Sequence, residues 1–381
     1  MIRKGIFVVL LFASMPFALA QSTPPSSVPP TRLAHIRHGV NLSGWFAQAY
    51  DPKGYTKEYV QSREASADMA LIKAAGFDHV RLSVNPQPLM DSARRHDAKA
   101  EDLGDLDAAV KMILDAGLAV EIDMHPDSDF KARLAKEDEF VERFADFWST
   151  VAKRYSTLDP DRVFFEILNE PEMRDAYRWY GVEAKLAAAI RRAAPANTII
   201  AAGARWDDDD DLVFLEPLPD TNVVYVFHFY EPHIFTHQGA TWGAYYWHWL
   251  SHLHYPSSPE NAAQVAAGVP EAHDRLQVIR YGQDHWDASR VEAEINQASD
   301  WATKRGVPLI CNEFGVFRDH SEPQDRSAWI KDVRTSLERH NIGWAMWDYD
   351  GNFGVVTKKD GKTMLDETTA KALGLGMPAS H

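Results

Sequence analysis

Val163-Phe164-Phe165-Glu166-Ile167-Leu168, followed by Asn169-Glu170-Pro171, is a short apolar run that ends on a carboxylate. A second run of the same kind, Val307-Pro308-Leu309-Ile310-Cys311, is followed by Asn312-Glu313-Phe314-Gly315, and the two Asn-Glu pairs lie 143 positions apart. Each reads as a short buried strand that delivers an acid where the strand stops. Two carboxylates at strand ends are the minimum equipment for breaking a glycosidic bond. One protonates the leaving oxygen, and the other attacks the sugar or activates water.

Working outward, the same reading yields eight strands: His38–Leu42, His79–Ser83, Ala119–Met124, Val163–Leu168, Thr198–Ala202, Val223–Phe227, Pro308–Asn312 and Gly343–Trp347. Helical patterns separate most of them, at Lys57–Ala75, Leu106–Ala116, Glu137–Arg154, Gly181–Ala194, Arg290–Lys304 and Ser327–His340, with a last one near Thr368–Leu373. Gly76, Gly117 and Gly306 stand just past three helices, where a left-handed cap is wanted. Eight such alternations predict an α/β fold of the (β/α)8 TIM-barrel type, a single catalytic domain over residues 36–381. The connection after the sixth strand, Tyr230 to Ser289, is too long for a plain loop. It reads as a long insertion, rich in Trp, Tyr and His, that walls the cleft.

The N-terminus reads as an export signal over residues 1–20: Arg3 and Lys4, an apolar stretch from Ile6 to Phe12, and an Ala18-Leu19-Ala20 cleavage site. The apolar core is too short for a membrane anchor. A secreted or periplasmic location follows, with no membrane contact after cleavage. Residues 21–35 form a Pro/Ser-rich linker, and 21–32 carry no core-forming pattern. The net charge of −15 would become −17 on cleavage, since two cations and no acids are lost. That charge argues against a nucleic-acid partner, whose phosphates need a basic surface. One cysteine, Cys311, permits no internal disulfide; with the same strand parity as Glu313, it reads as an inert core residue. A monomer is the default for this architecture.

Chemistry on such a barrel sits at the carboxyl ends of the strands. Arg81 lies in the second strand, His125 follows the third, and Asn169 and Glu170 follow the fourth. His228 and Tyr230 follow the sixth, Glu313 the seventh, and Trp347 ends the eighth.

The ordered motifs resemble family 5 glycoside hydrolases, the cellulase-type (β/α)8 barrels. They are Gly39-Val40-Asn41-Leu42-Ser43-Gly44-Trp45, Gly76-Phe77-Asp78-His79-Val80-Arg81, Ile122-Asp123-Met124-His125, Phe165-Glu166-Ile167-Leu168-Asn169-Glu170-Pro171, His228-Phe229-Tyr230, Asn312-Glu313-Phe314-Gly315 and Trp344-Ala345-Met346-Trp347-Asp348-Tyr349. The resemblance implies that Glu170 is the general acid/base and Glu313 the nucleophile. It implies that Asn169 holds the sugar 2-hydroxyl and that Arg81 and Tyr230 steady the nucleophile. His125, His228 and Trp347 would line the subsite where the bond breaks. The family retains configuration, which calls for carboxyl groups about 5–5.5 Å apart. A nucleophile must be ionised, and an acid needs surroundings that raise its pKa.

The resemblance implies an exported retaining endo-β-glycanase acting on β-1,4-glucan, without cofactor or metal. Alternatives on the same scaffold are an endo-β-1,4-mannanase, a xyloglucanase or a β-1,3-glucanase; an inactive glycan-binding protein is a rival of another class. Glu166 shares the inward parity of Glu170 and reads as structural, paired with Arg81. Trp45, Trp206 and Trp242 read either as sugar platforms or as packing. The run Asp207–Asp211 lacks the spacing of a calcium loop and reads as a solvated acidic loop. His248 and His252 share a helical i, i+4 spacing without the Glu of a zinc motif.

Overall fold

The computed structural model describes residues 26–49, 54–93 and 103–376, so the expected export signal lies outside the described residues. Eight parallel strands close a barrel in sequence order. They are β1 (His38–Leu42), β2 (His79–Val84), β3 (Ala119–Met124), β4 (Val163–Glu166), β5 (Thr198–Ala202), β6 (Val223–Phe229), β7 (Leu309–Phe314) and β8 (Gly343–Met346). β8 pairs back onto β1 through His38 and Trp344, which closes the ring. Among the described residues no helix is long and apolar enough to cross a membrane.

The outer helices bury one face each. Asp138–Tyr155 turns Phe140, Phe144, Trp148 and Val151 inward, and Trp148 donates its indole N–H to the Ile167 carbonyl at 3.0 Å. Gly76 and Gly306 end their helices in the left-handed region, with φ of 108° and 66°, as the sequence leads one to expect.

One stretch departs from expectation. Lys57–Ala75 is not one helix but two, Lys57–Arg63 and Ser66–Ala75. The Asp68 side chain accepts the Ala65 N–H at 2.9 Å and starts a new helix there, while Glu64 turns inward to Lys358. After β5 the outer layer holds only one helical turn, Asp209–Leu212. The helix Ala288–Arg305 covers the space, its Trp301 donating to the Leu215 carbonyl at 3.0 Å.

The segment expected to be a linker is docked from Ser26 onward. Ser27 N–H donates to the Thr221 carbonyl at 2.8 Å, and Arg32 reaches Asp161 at 2.8 Å. Val28 and Ile36 are buried in one cluster with Phe164, Ile200, Val224, Val226 and Ile310. Pro29 and Pro30 start a short helix, Pro30–Leu33, instead of extending a tether. This segment is therefore part of the barrel floor.

The barrel interior is layered. Above that apolar floor lies a polar layer, Asn41, Arg81, Glu121, Asp123, Glu166 and Asn312, all fully buried. Charges at such depth survive only when paired, and the pairing is centred on Arg81. The connection between β6 and Ala288–Arg305 carries a turn at His233–Thr236, a 3-10 segment at Tyr245–Trp249, and helices Pro259–Ala266 and Ala272–Gln283 that pack on each other.

Candidate active site

Arg81 organises the site from below. Its Nε and Nη2 donate to the two oxygens of Glu166 at 2.6 and 2.7 Å, the planar bidentate match of guanidinium and carboxylate. Nη1 donates to Glu313 at 2.5 Å and to the Asn41 side-chain oxygen at 2.9 Å, and Nη2 reaches the Asn169 side-chain oxygen at 2.9 Å. One cation thus fixes both strand-end motifs. Burial works against its charge, but Asp123, Glu166 and Glu313 overcome that and hold the guanidinium protonated. Asn312 donates to Glu121 and Glu166, and burial beside Glu166 pushes the Glu121 carboxyl up.

Glu313 reaches the cleft by a register fault. Phe227 pairs with Cys311, but the next residue, His228, pairs with Glu313, so Asn312 is extra. A bulge of this kind re-aims a side chain. Ile310 sits inside the barrel, Cys311 belongs to the outer core, and Asn312 returns to the interior. The shared parity of Cys311 and Glu313 expected from the sequence is thereby broken, because the bulge adds one residue between them. Glu313 also accepts the Tyr230 hydroxyl at 3.0 Å. Burial and the Glu313 charge push the Tyr230 phenol up, so it keeps its proton and stays a donor.

Glu170 sits across the cleft at φ 44°. An oxygen of Glu170, a nitrogen of His228 and an oxygen of Glu313 all lie within 4.8 Å of one another. His228 Nδ1 is 3.1 Å from Glu170 and 3.5 Å from Glu313. Burial acts to raise the Glu170 carboxyl, but the His228 hydrogen bond and charge reverse that and take it down to about 2. Burial acts to lower His228, but Glu313, Glu170 and Asp207 take it up to about 9. The expectation that the surroundings raise Glu170 is thus corrected for the free enzyme. The pair holds one proton, and its resting place is the imidazole.

His125 and Trp347 stack at 5.7 Å with an interplanar angle of 15°, and the His125 Nδ1 is fixed by Asp123 at 2.8 Å. All eight residues singled out from the sequence therefore gather at one end of the barrel. Around them opens a cleft of about 1120 Å³. Trp206 and Trp242, both about half-exposed, line it, as do His233, His237, Trp247 and Phe353. Trp45 is not a platform: it is buried, and its indole donates to the Val60 carbonyl at 2.8 Å.

Other expectations are corrected. The run at 207–211 is not solvated, because Asp207, Asp209 and Asp211 are buried. Asp211 folds back onto the Ala204 and Arg205 N–H groups, and Asp207 accepts the Glu170 N–H. His248 and His252 share no helix: His248 lies in the 3-10 turn, and His252, at φ 60°, pairs with Glu322 at 2.7 Å. The sequence reading missed Asn41, Asp123, Asp207 and Asn312. Inward strand parity would have found Asn41 and Asp123, but nothing in the pattern marks Asp207.

Two triads among the described residues have spacing compatible with a cation, the buried Glu166–Asp207–His228 and Glu170–His228–Glu313, in which Glu170 is partly exposed. Arg81 already occupies Glu166 and Glu313 with its own charge, so both sets are better matched to holding protons than a metal ion.

The family model described as Cellulase (glycosyl hydrolase family 5) matches residues 39–353. Endoglucanase 3 of Fibrobacter succinogenes is 28% identical over 378 residues, covering 94% of this chain and 56% of its own length. Endoglucanase C of Acetivibrio thermocellus is 27% identical over 341 residues, covering 88% of this chain and 97% of its own. The chain thus spans little more than half of the first relative and nearly all of the second. A crystal structure of an endoglucanase from Thermotoga maritima superposes with a TM-score of 0.72 at 24% identity, over 91% of this chain and all of that one, which supports the barrel fold. With its family match running from the first strand to beyond the eighth, the chain belongs to glycosyl hydrolase family 5, the cellulase family, and is a glycoside hydrolase.

Proposed function

We propose that this protein is an exported, retaining endo-β-1,4-glucanase. The observation that carries the reading is the carboxyl pair: Glu170 and Glu313 approach within 4.8 Å and are held differently. That close approach of their nearest oxygens favours a nucleophile and an acid on one anomeric centre over an inverting pair, whose carboxyl groups stand about 6.5–9.5 Å apart. Glu313 accepts from Arg81 and Tyr230, two donors that hold its carboxyl group in place at the cleft. Glu170 and His228 share a proton, and Glu170, the more exposed of the two, delivers it to the leaving oxygen.

The steps follow. A β-glucan chain lies along the cleft with one ring on Trp347, apolar face to aromatic face. The Glu313 carboxylate attacks the anomeric carbon while the proton passes from His228 Nδ1 through Glu170 to the departing glycosidic oxygen. Asn169, fixed by Arg81 at 2.9 Å, is placed to hold the 2-hydroxyl. In the second half, the Glu170 carboxylate takes a proton from water, which attacks the anomeric carbon and frees Glu313.

Relatives named as endoglucanases support the glucan, and a cleft lined on both sides, from Ser43 to Trp206, supports internal cleavage. The N-terminal leader supports a secreted or periplasmic location. The test is a panel digest with carboxymethyl-cellulose, barley β-glucan, xyloglucan, galactomannan, xylan and laminarin. Mixed oligosaccharides from the β-1,4-glucans are expected. Activity confined to galactomannan or laminarin, or monosaccharide alone, would overturn the substrate or the endo mode.

A further inference from the structure

Behind the acid lies a carboxyl that the steps above do not use. Asp207 is 1% exposed and follows β5 on a turn in which Trp206 and Asp207 take φ of 50° and 54°. Successive left-handed residues that are not glycine are strained, and such strain persists only where the surroundings enforce it. Here the enforcement is visible. Trp206 N–H donates to the Pro171 carbonyl at 3.0 Å and Met173 N–H to the Ala204 carbonyl at 2.9 Å, which straps this turn to the loop bearing Glu170.

Asp207 then touches both halves of the proton-holding pair. Its Oδ2 accepts the Glu170 N–H at 2.8 Å, which holds Glu170 in its own left-handed conformation. Its main-chain carbonyl accepts the His228 N–H at 2.7 Å. Oδ2 also lies 3.6 Å from His228 Nε2, the ring nitrogen facing away from Glu170. His228 Nε2 and Asp207 Oδ1 are both buried without a hydrogen-bond partner. A small approach closes an Asp207–His228–Glu170 chain.

We propose that Asp207 is the positioning residue of the acid: it fixes the backbone of Glu170 and anchors His228 Nε2–H, so that the imidazole can lend its Nδ1 proton to Glu170 and take it back. In the first step the proton leaves Nδ1 for the Glu170 carboxylate while Nε2–H stays directed at Asp207. After water is deprotonated in the second step, the proton returns from Glu170 to Nδ1, and the count is restored. The groups facing Asp207, His228 and Glu170 are Glu166 on β4, Glu313 on β7, Tyr230, His125, Lys131 on the helix Ser128–Lys136, and Glu183 on the helix Ala176–Ala193. Burial pushes the Asp207 carboxyl up and the His228 imidazolium pulls it back, so the anion at which Nε2–H is directed belongs to the charged pair with His228. The inference rests on the retaining reading of Glu170.

The experiment compares Asp207→Ala and Asp207→Asn with the wild type on a cello-oligosaccharide, which needs the acid, and on a dinitrophenyl cellobioside, which does not. For Asp207→Ala, kcat/KM should fall by about 10²-fold on the oligosaccharide and far less on the aryl glycoside. Asp207→Asn keeps an oxygen for the Glu170 N–H. It should leave KM near wild type while moving the alkaline limb of kcat/KM, and the His228 imidazole titration followed by NMR, to lower pH. Equal losses on both substrates, or an unmoved limb and titration in Asp207→Asn, would overturn the proposal. If Asp207→Ala does not fold, Asp207→Asn alone decides. A wild type that cleaves neither substrate would sink the glucanase reading instead, and the His228 titration would still decide the role of Asp207.

Discussion

At the residue scale, the proposed function turns on two carboxylates of the same type in unlike surroundings. Glu313 is gripped by Arg81 and Tyr230, and Glu170 leans on His228. Glu313→Ala should cost about 10⁴-fold or more in kcat, with azide restoring part of the turnover and the circular dichroism spectrum unchanged. Substantial residual activity would remove Glu313 from the nucleophile role. Glu170→Gln should lose about 10²–10⁴-fold on natural glycosides and much less in kcat/KM on good leaving groups. The pH dependence has a definite sign. The working free enzyme needs the shared proton, so kcat/KM should fall as pH rises through about 9, where the His228–Glu170 pair gives it up. In His228→Asn the proton must rest on Glu170 alone, so that limb should move to lower pH. A pH series on both enzymes reads this directly.

At the element scale, strand ends set direction and one bulge sets aim. Most strands were legible because short apolar runs are unambiguous when each is followed by a helical pattern. β1, β3 and β5 match the sequence reading at both ends, and seven of the eight site residues lie at or just past strand ends, with Arg81 one layer deeper. The bulge was not legible: alternation in Leu309–Phe314 is blind to an extra residue whose presence depends on the partner strand. Asp207 was hidden for a related reason. An Asp run reads as solvated until the fold supplies the Glu170 N–H it accepts. The helix Ala176–Ala193 adds a further consequence. Its Glu183 is fully buried, accepts the Ala202 N–H at 2.8 Å, and is pushed by burial to about 8. A carboxyl raised in the folded state contributes stability that is complete below its unfolded pKa and is lost as pH rises through the folded one. Glu183→Gln, which mimics the protonated acid, should therefore melt like the wild type near pH 4 and several degrees higher near pH 9. A higher melting point at pH 4 alone would contradict this.

At the scale of the whole molecule, the barrel is sealed at one end and open at the other. The floor depends on a segment that composition alone labels a linker. Val28 and Ile36 gain their burial from residues of β4 to β7 far away in sequence, so no local pattern could reveal it. Removing residues 1–34 should expose the underside of Phe164 and Val224 and cost about 2–5 kcal/mol, by analogy with cutting large apolar groups from a core. Removing residues 1–25 leaves the docked segment whole and serves as the reference. Urea melts of the two truncations would separate a docked plug from a passive tether.

The central claim is that Glu313 forms a covalent bond to a glucosyl unit. The enzyme would be incubated with a 2-deoxy-2-fluoro-cellobioside bearing a good leaving group, digested, and mapped by mass spectrometry. The account predicts one added fluorocellobiosyl group on the peptide carrying Asn312-Glu313, with activity lost in step. Label on any other carboxylate, or an enzyme that turns over glucan yet never acquires label, would contradict it.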